Sequence, residues 1–147
     1  MWKELTEWHR EIYGDPAIGG ANPENYFDRH LAMVGPEQLW VATKDHIVIG
    51  LVGLMYKENE AEIEPLVVKE TYRRRGVGTK LVETAISEAR SKGVRMLNVK
   101  PVARNIQAIR FFHRMGFGNL GFVELFMDFS NGSWKNGPEI YGLKFSY

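Results

Sequence analysis

A change in the spacing of apolar residues near position 70 is the feature that most constrains the fold of this chain. Residues 61–68 follow a polar turn at 57–60 and have the length of a strand. Beyond them, apolar side chains recur at helical spacing: Val77, Leu81, Val82, Ala85, Ile86 and Ala89. A strand that leads through a short turn into a long amphipathic helix predicts a layered fold of the α/β class.

The same patterns predict the remaining elements. In chain order they are a helix at 2–13, a helix at about 23–34, strands at 39–43 and 47–56, a strand at 94–99, a helix at 105–114, and strands at 122–129 and 140–145 with a loop over 130–138 between them. Gly93 and Gly116 are expected to end the third and fourth helices. Because no linker interrupts this order, we expect a single domain over residues 1–147.

Composition excludes several classes of function. The net charge of +1 argues against general attraction to nucleic acid or to an anionic membrane. The chain has no cysteine, which rules out disulfides, thiolate metal sites and an acyl-cysteine intermediate. Its four histidines form no ligand pair at helical spacing, so we expect no metal. With no signal-like or membrane-length apolar run, the expected location is cytoplasmic.

Arg73 to Thr79 is the segment that carries chemistry. Three consecutive arginines and two glycines, Gly76 and Gly78, stand directly before the predicted helix. A helix N-terminus presents free backbone N–H groups and the positive end of the helix dipole, so it favours an anion. Glycines let a phosphate approach these amides, and arginines add charge-assisted donors. The segment therefore predicts a site for a phosphate or pyrophosphate.

The glycine-rich segments also allow other interpretations. A triple arginine can be a solvated run or a nucleic-acid patch, although the near-neutral charge argues against the second. The glycine spacing does not match the P-loop pattern. Residues 116–121 match G-x-G-x-x-G, but they follow a helix and precede a strand. This order reverses the context of a dinucleotide site, so a loop is expected there.

Over roughly residues 37–147 the chain resembles the GNAT superfamily of N-acetyltransferases. The family pattern R/Q-x-x-G-x-G/A stands here as Arg73 to Gly78. A second family block, N-x-x-A-x-x-x-Y/F-x-x-x-G-F, stands here at the family's spacing, as Asn105, Ala108, Phe112, Gly116 and Phe117. The resemblance implies a mostly antiparallel mixed α/β sheet, splayed between its fourth and fifth strands, with helices on both faces. The family usually opens with a strand before its first helix, whereas this chain begins inside the helix, so either the first strand is missing or the chain start is displaced.

The resemblance also implies a reaction and a donor site. The reaction is direct transfer of an acetyl group from acetyl-CoA to a primary amine. The expected acetyl-CoA contacts are Leu66, Val67, Val68, Arg73, Arg74, Arg75, Gly76, Val77, Gly78, Thr79, Asn105 and Phe112. Backbone groups of residues 66–68 would hold the acetyl carbonyl and pantetheine beside Pro65, and amides from 74–79 would bind the pyrophosphate. Asn105 could equally be the N-cap of its helix, and both roles can hold at once.

A base is needed because a primary amine, with a pKa of ~10, is mostly protonated at neutral pH. Glu62 and Glu64 are the candidate catalytic bases, since residues two apart on a strand share a face. Glu62 matches the family's position for a base on this strand, and Glu64 lies one step nearer the acetyl position. Either one could instead be a solvated surface glutamate. The acceptor would be a small-molecule or protein amine, and the resemblance allows a homodimer.

Two residues depart from the family pattern. Phe112 stands where many relatives have a tyrosine that acts as an acid, and Tyr72, Tyr141 and His113 are alternative donors. Lys100 stands where some relatives have a glutamate base on the fifth strand. An acid is dispensable if the thiolate leaves unaided, since thiol pKa values are ~8.5. The missing tyrosine also leaves open a non-catalytic module that binds or senses acyl-CoA.

Overall fold

The computed structural model describes residues 1–130 and 132–147. These residues form two compact units, Met1–Lys100 and Pro101–Tyr147. The first contains a four-stranded sheet with three helices, and the second contains a helix and a hairpin.

Four α-helices confirm the helical predictions. They are α1 (Trp2–Tyr13), α2 (Asn25–Val34), α3 (Val77–Ser91) and α4 (Ile106–Arg114). Short 3-10 turns lie at Pro36–Gln38 and Glu70–Tyr72. None of the helices in the described ranges is long and apolar enough to cross a membrane.

The sheet has the order β1-β2-β3-β4. Its strands are β1 (Leu39–Lys44), β2 (Ile47–Lys57), β3 (Glu60–Val68) and β4 (Met96–Asn98). The first two pairs are antiparallel and β3 runs parallel to β4. Asp45 and His46 turn the first hairpin with φ values of 48° and 61°, as a two-residue hairpin turn requires. The predicted mixed, mostly antiparallel fold is confirmed.

The core of the first unit is built around β2. Ile49 through Leu54 are all buried, and alternate residues of a strand point to opposite faces, so both faces of the sheet are covered. Helix α3 covers the face of Gly50, where a Cβ would lie 2.9 Å from Leu81 Cδ1 and 3.1 Å from Val77 Cγ1. Helix α2 contacts β2 and buries Val34.

Strand β3 has two unlike halves. Glu60 to Glu62 pair with all of β4, and that pairing stops at Glu62 opposite Asn98. The register with β2 also shifts between Val52 and Leu54, which places one extra residue of β3 opposite Gly53. This irregularity is a β-bulge at Glu64–Pro65, and beyond it β3 continues with β2 alone in the unit Met1–Lys100.

Two strand predictions in the second unit are wrong. The run predicted as one strand over 140–145 is instead a hairpin of β5 (Asn136–Ile140) and β6 (Leu143–Ser146). Tyr141 and Gly142 turn this hairpin with φ values of 54° and 77°. Part of the loop predicted over 130–138 therefore lies in β5, and residue 131 of that loop lies outside the described residues.

Residues 122–129, predicted as a strand, form no strand. Their apolar side chains are exposed, completely so at Phe122. Apolar and aromatic composition favours a strand only where another strand offers a paired edge. The pairing described in the second unit is that of β5 with β6 alone.

Candidate functional site

The half of β3 that has left β4 presents the backbone edge predicted for the acetyl and pantetheine groups. Leu66, Val67 and Val68 pair with Val52, Leu51 and Gly50 of β2 along their other edge. The side chain of Val67 is buried. The carbonyl oxygen of Val68 accepts a hydrogen bond of 3.1 Å from Arg73 Nε. This edge is therefore positioned by the core and ends at the arginine turn.

The start of α3 is open in the way an anion site requires. Gly76 is its N-cap, with φ 81° in the left-handed region, and no side chain of the described residues caps this terminus. A Cβ on Gly76 would meet no atom within 4 Å. The backbone conformation therefore favours glycine at position 76, and the space beside it is open to a ligand. The first N–H groups of a helix have no partner within it.

The three arginines have different surroundings. Arg73 is held, since its Nε donates to Val68 and its guanidinium lies 4.9 Å from the ring centre of Trp8 in α1. Arg74 is exposed, with φ 57°. Arg75 is exposed and lies 5.7 Å from the ring centre of Tyr72. Left-handed residues in a turn create concavities of backbone N–H groups, so Arg74 and Gly76 suit an anion.

This donor set fits the pyrophosphate of CoA. It combines backbone N–H groups at a helix start, a glycine with open space around it, and two exposed guanidinium groups. Each of these groups favours negative charge. Val77, Gly78 and Thr79 make up the first turn of α3 and so supply the N–H groups predicted for this role.

Glu62 lies at the point where β3 and β4 part. Its side chain is 18% exposed and accepts a hydrogen bond from Lys100 Nζ. Lys100 follows β4 and is 71% exposed. The hydrogen bond to Glu62 raises the pKa of the Lys100 ammonium, and the negative charge of Glu64 adds to the effect. An ion pair thus joins β3, at the residue where its pairing with β4 stops, to the segment that follows β4.

Glu64 is more open and faces a different partner. Its side chain is 47% exposed, and its Oε1 lies 3.9 Å from Nδ1 of His30 in α2. Nε2 of His30 lies 3.4 Å from the Glu64 carbonyl oxygen. The imidazole is buried and its ring centre lies 5.0 Å from that of Trp2. The two candidate bases therefore have distinct surroundings, one beside a lysine and one beside a histidine.

Asn105 and Phe112 belong to the second unit. Asn105 Oδ1 accepts a hydrogen bond of 3.0 Å from the Ala108 N–H, so Asn105 caps α4. Phe112 is buried and packs edge-on against Phe111 and Phe117, with ring centres 5.2 and 5.5 Å away. The expectation that Asn105 is an N-cap is confirmed, and Phe112 has a role in packing.

Of the alternative acids, Tyr72 belongs to the arginine turn. Its ring lies 5.8 Å from Lys44 Nζ and 5.7 Å from the Arg75 guanidinium. Tyr141 is at the tip of the β5–β6 hairpin and is 92% exposed, and His113 is in α4. Within the first unit, the structure describes no contact of Tyr72 with Glu62 or Glu64.

Sequence reasoning missed two neighbours of the candidate bases. His30 reaches Glu64 across a separation of 34 positions, and no motif connects them. In the sequence Lys100 stands out only as a departure from the family pattern, yet it pairs with Glu62 across 38 positions. Contacts of this kind depend on which helix and strand meet, which no local pattern records.

The match of a family model defines the class of this chain. The model of the acetyltransferase (GNAT) family matches residues 2–117. The chain belongs to the GNAT acetyltransferase family.

Individual relatives agree with this assignment. An uncharacterized N-acetyltransferase of Methanocaldococcus jannaschii is 38% identical over 61 residues, which are 42% of this chain and 27% of that protein. The structure is similar to a GNAT-family acetyltransferase of Staphylococcus aureus, with a TM-score of 0.62 and 18% identity over 84% of this chain and 86% of that one.

A third comparison involves a structure with a bound donor. The structure of a putative streptothricin acetyltransferase from Bacillus anthracis, in complex with acetyl coenzyme A, has a TM-score of 0.51 and 26% identity. The match covers 53% of this chain and 45% of that one. The chain spans 27%, 37% and 57% of the length of the curated relatives it matches.

Proposed function

We propose that this chain is an N-acetyltransferase that moves an acetyl group from acetyl-CoA directly to a primary amine. One observation carries the proposal: β3 leaves β4 after Glu62 and leads, within the same stretch of chain, to the open helix start at Gly76. A free strand edge and an anion site thus follow one another, as an acyl chain with a pyrophosphate requires. Membership of the GNAT family supports it. The proposal treats residues 1–147 as one acetyltransferase domain.

On the donor side, each part of the chain has a separate role. The N–H groups of residues 74–79 and the guanidinium groups of Arg74 and Arg75 bind the pyrophosphate. The backbone of Leu66 to Val68 holds the pantetheine arm and orients the acetyl carbonyl. Asn105 and Phe112 are proposed to lie against the donor by resemblance alone. When bound, acetyl-CoA supplies a thioester carbonyl that an amine can attack.

On the acceptor side, Glu62 and Glu64 remove the proton. Glu62 is the favoured base, since it stands where family members with a glutamate base on this strand carry it. Glu64 has the more open carboxylate and lies nearer the acetyl position along β3. A water molecule between the carboxylate and the amine would carry the proton. The thiolate leaves without a dedicated acid, because Phe112 has no proton to give.

The acceptor is an amine that is cationic before it reacts. Two carboxylates on one strand favour an ammonium group, and the reaction needs the same carboxylates as bases. Both small amines and protein amino groups meet this requirement. A homodimer and a cytoplasmic location remain part of the proposal.

The test separates binding from turnover. Isothermal titration with CoA and acetyl-CoA measures donor binding, and a panel of polyamines, aminoglycosides and lysine-containing peptides measures transfer. Binding together with turnover of one amine supports the proposal, and absence of CoA binding contradicts it. Binding without turnover on any amine favours the second candidate, an acyl-CoA-binding module, for which the buried Phe112 is the specific observation.

A further inference from the structure

We propose that Lys100 is itself an acetyl acceptor, modified in cis by the acetyl-CoA bound to the same chain. This proposal rests on the proposed function, since it needs the acetyl donor at β3. It adds a modification site to the chain and a second substrate to the reaction.

The position of Lys100 carries the argument. Strand β4 ends at Asn98, which is paired with Glu62, and Lys100 follows two residues later. Its side chain returns to β3 and donates to the Glu62 carboxylate. The Lys100 amine therefore lies where β3 and β4 stop pairing. It is hydrogen-bonded to Glu62, the residue proposed to remove a proton from the acceptor.

Lys100 is also accessible for reaction. Its side chain is 71% exposed, whereas that of Glu62 is 18% exposed. The amine is thus tethered to the base but not enclosed, and a flexible stem of four carbons lets it move along β3. The acetyl position is proposed to lie further along the same strand, at Leu66 to Val68.

Lys92 provides a matched comparison within the chain. It is 61% exposed and lies 3.9 Å from Glu88, so it too is an exposed lysine beside a carboxylate. It is the C-cap of α3, about 24 Å from the Gly76 end at 1.5 Å per residue. Both lysines are therefore exposed and paired with a carboxylate, and only Lys100 lies beside the strand of the proposed donor site.

The reaction balances with acetyl-CoA as the only co-reactant. Glu62 takes a proton from the Lys100 ammonium, and the free Nζ attacks the thioester carbonyl carbon. A bond forms between Nζ and that carbon as the carbon–sulfur bond breaks. The nitrogen then loses its second proton to solvent, and the CoA thiolate takes up a proton from water. Glu62 finally releases to solvent the proton that it took from Lys100. The product is a neutral amide at Lys100 and free CoA.

The experiment measures acetylation of individual lysines by mass spectrometry of the full chain after digestion. Purified protein is incubated with acetyl-CoA, and a parallel sample receives acetyl phosphate, which acetylates lysines without a bound donor. With acetyl-CoA we expect Lys100 to react roughly tenfold or more faster than Lys92, in line with general-base catalysis. The rate constant should not depend on protein concentration, and excess CoA should suppress it.

Acetyl phosphate should give the opposite order. The hydrogen bond to Glu62 raises the pKa of Lys100, so its free amine is scarcer than an ordinary lysine's and spontaneous acetylation is slow. In Glu62→Gln, acetylation of Lys100 by acetyl-CoA should fall about 100-fold. Its reaction with acetyl phosphate should become faster, because the carboxylate that held the proton is gone. Circular dichroism checks that the variant is folded.

The outcomes distinguish this proposal from the proposed function. If the chain acetylates an external amine but Lys100 reacts no faster than Lys92, self-acetylation is overturned and the transferase function stands. Equal rates in wild type and Glu62→Gln would also overturn it. If CoA does not bind, both proposals fail together. Fast modification of Lys100 without turnover of any panel amine supports self-acetylation and contradicts the panel as the substrate class.

Discussion

The two halves of β3 differ in how their backbone is used. From Glu60 to Glu62 the strand is paired on both edges, and the Glu60 carboxylate also accepts a hydrogen bond of 2.9 Å from Asn98. From Leu66 to Val68 it is paired with β2 alone in the first unit. The first half can hold a side chain in one place, and the second can offer its own backbone groups to a ligand. One strand thus separates the proposed chemistry from the proposed donor binding.

This division can be tested, because substitutions in the two halves of β3 should affect different measured quantities. Damage to the paired half should lower turnover and leave the CoA dissociation constant unchanged. Damage to the open half and its helix should weaken CoA binding and leave the pH dependence of turnover unchanged. Damage to the bulge between them should affect both.

The largest effect is expected at the paired half. Glu62→Gln should lower kcat/KM about 100-fold, most strongly at low pH where less amine is deprotonated, with the CoA dissociation constant unchanged. Glu64→Gln tests the other candidate base. Glu60→Gln is the matched control on the same strand, and we expect its pH–rate profile to follow wild type. Wild-type profiles in both the Glu62 and Glu64 variants would remove these carboxylates from the mechanism.

The bulge is the next most sensitive position. A Cβ on Gly53 would lie 2.6 Å from the Glu64 carbonyl oxygen and 2.8 Å from Leu39 Cδ2. Gly53→Ala should therefore lower the free energy of unfolding by about 1–3 kcal/mol, as overpacking does. It should also impair both CoA binding and turnover, since both halves of β3 must shift. Chemical denaturation with titration calorimetry measures this, and unchanged stability would show that the bulge adapts freely.

At the open half, Gly76→Ala should weaken CoA binding about tenfold, which is about 1.4 kcal/mol. A left-handed residue with a Cβ is strained, and relief of that strain moves the N–H groups of the first turn. Gly93→Ala is the matched control, since Gly93 has φ 70° and open space beyond the other end of α3. We expect similar losses of stability in both variants and weaker CoA binding only at Gly76. Equal dissociation constants would place the pyrophosphate elsewhere.

The smallest effect is expected for a single exposed arginine. Arg75→Ala should raise the CoA dissociation constant about two- to fivefold, since an exposed charge contributes at most about 1 kcal/mol. The difference from wild type should shrink as salt is raised. Arg90→Ala, in the last turn of α3, is the control and should bind CoA like wild type. A salt-independent deficit would indicate lost packing against Tyr72 instead of lost charge.

Most of the first unit could be predicted because its elements are specified locally. The spacing of apolar residues predicts α3, and Gly76 marks where this helix begins. Residues 122–129 show the limit of such reasoning, since an apolar run does not state which edge it pairs with. The Tyr141–Gly142 turn was missed because tyrosine is an unusual residue at positive φ. At the site, the glutamates were found from their strand position, whereas their partners His30 and Lys100 come from distant segments.

Gly50 shows how a position outside the site can determine its shape. It faces Val77 and Leu81 in the first turns of α3, and a Cβ at this position would lie too close to both side chains. The short distance between α3 and the sheet therefore requires glycine at position 50. The same distance determines where the first N–H groups of α3 lie relative to the end of β3. A residue far from the arginine turn in sequence therefore helps to set how close the start of α3 lies to the sheet.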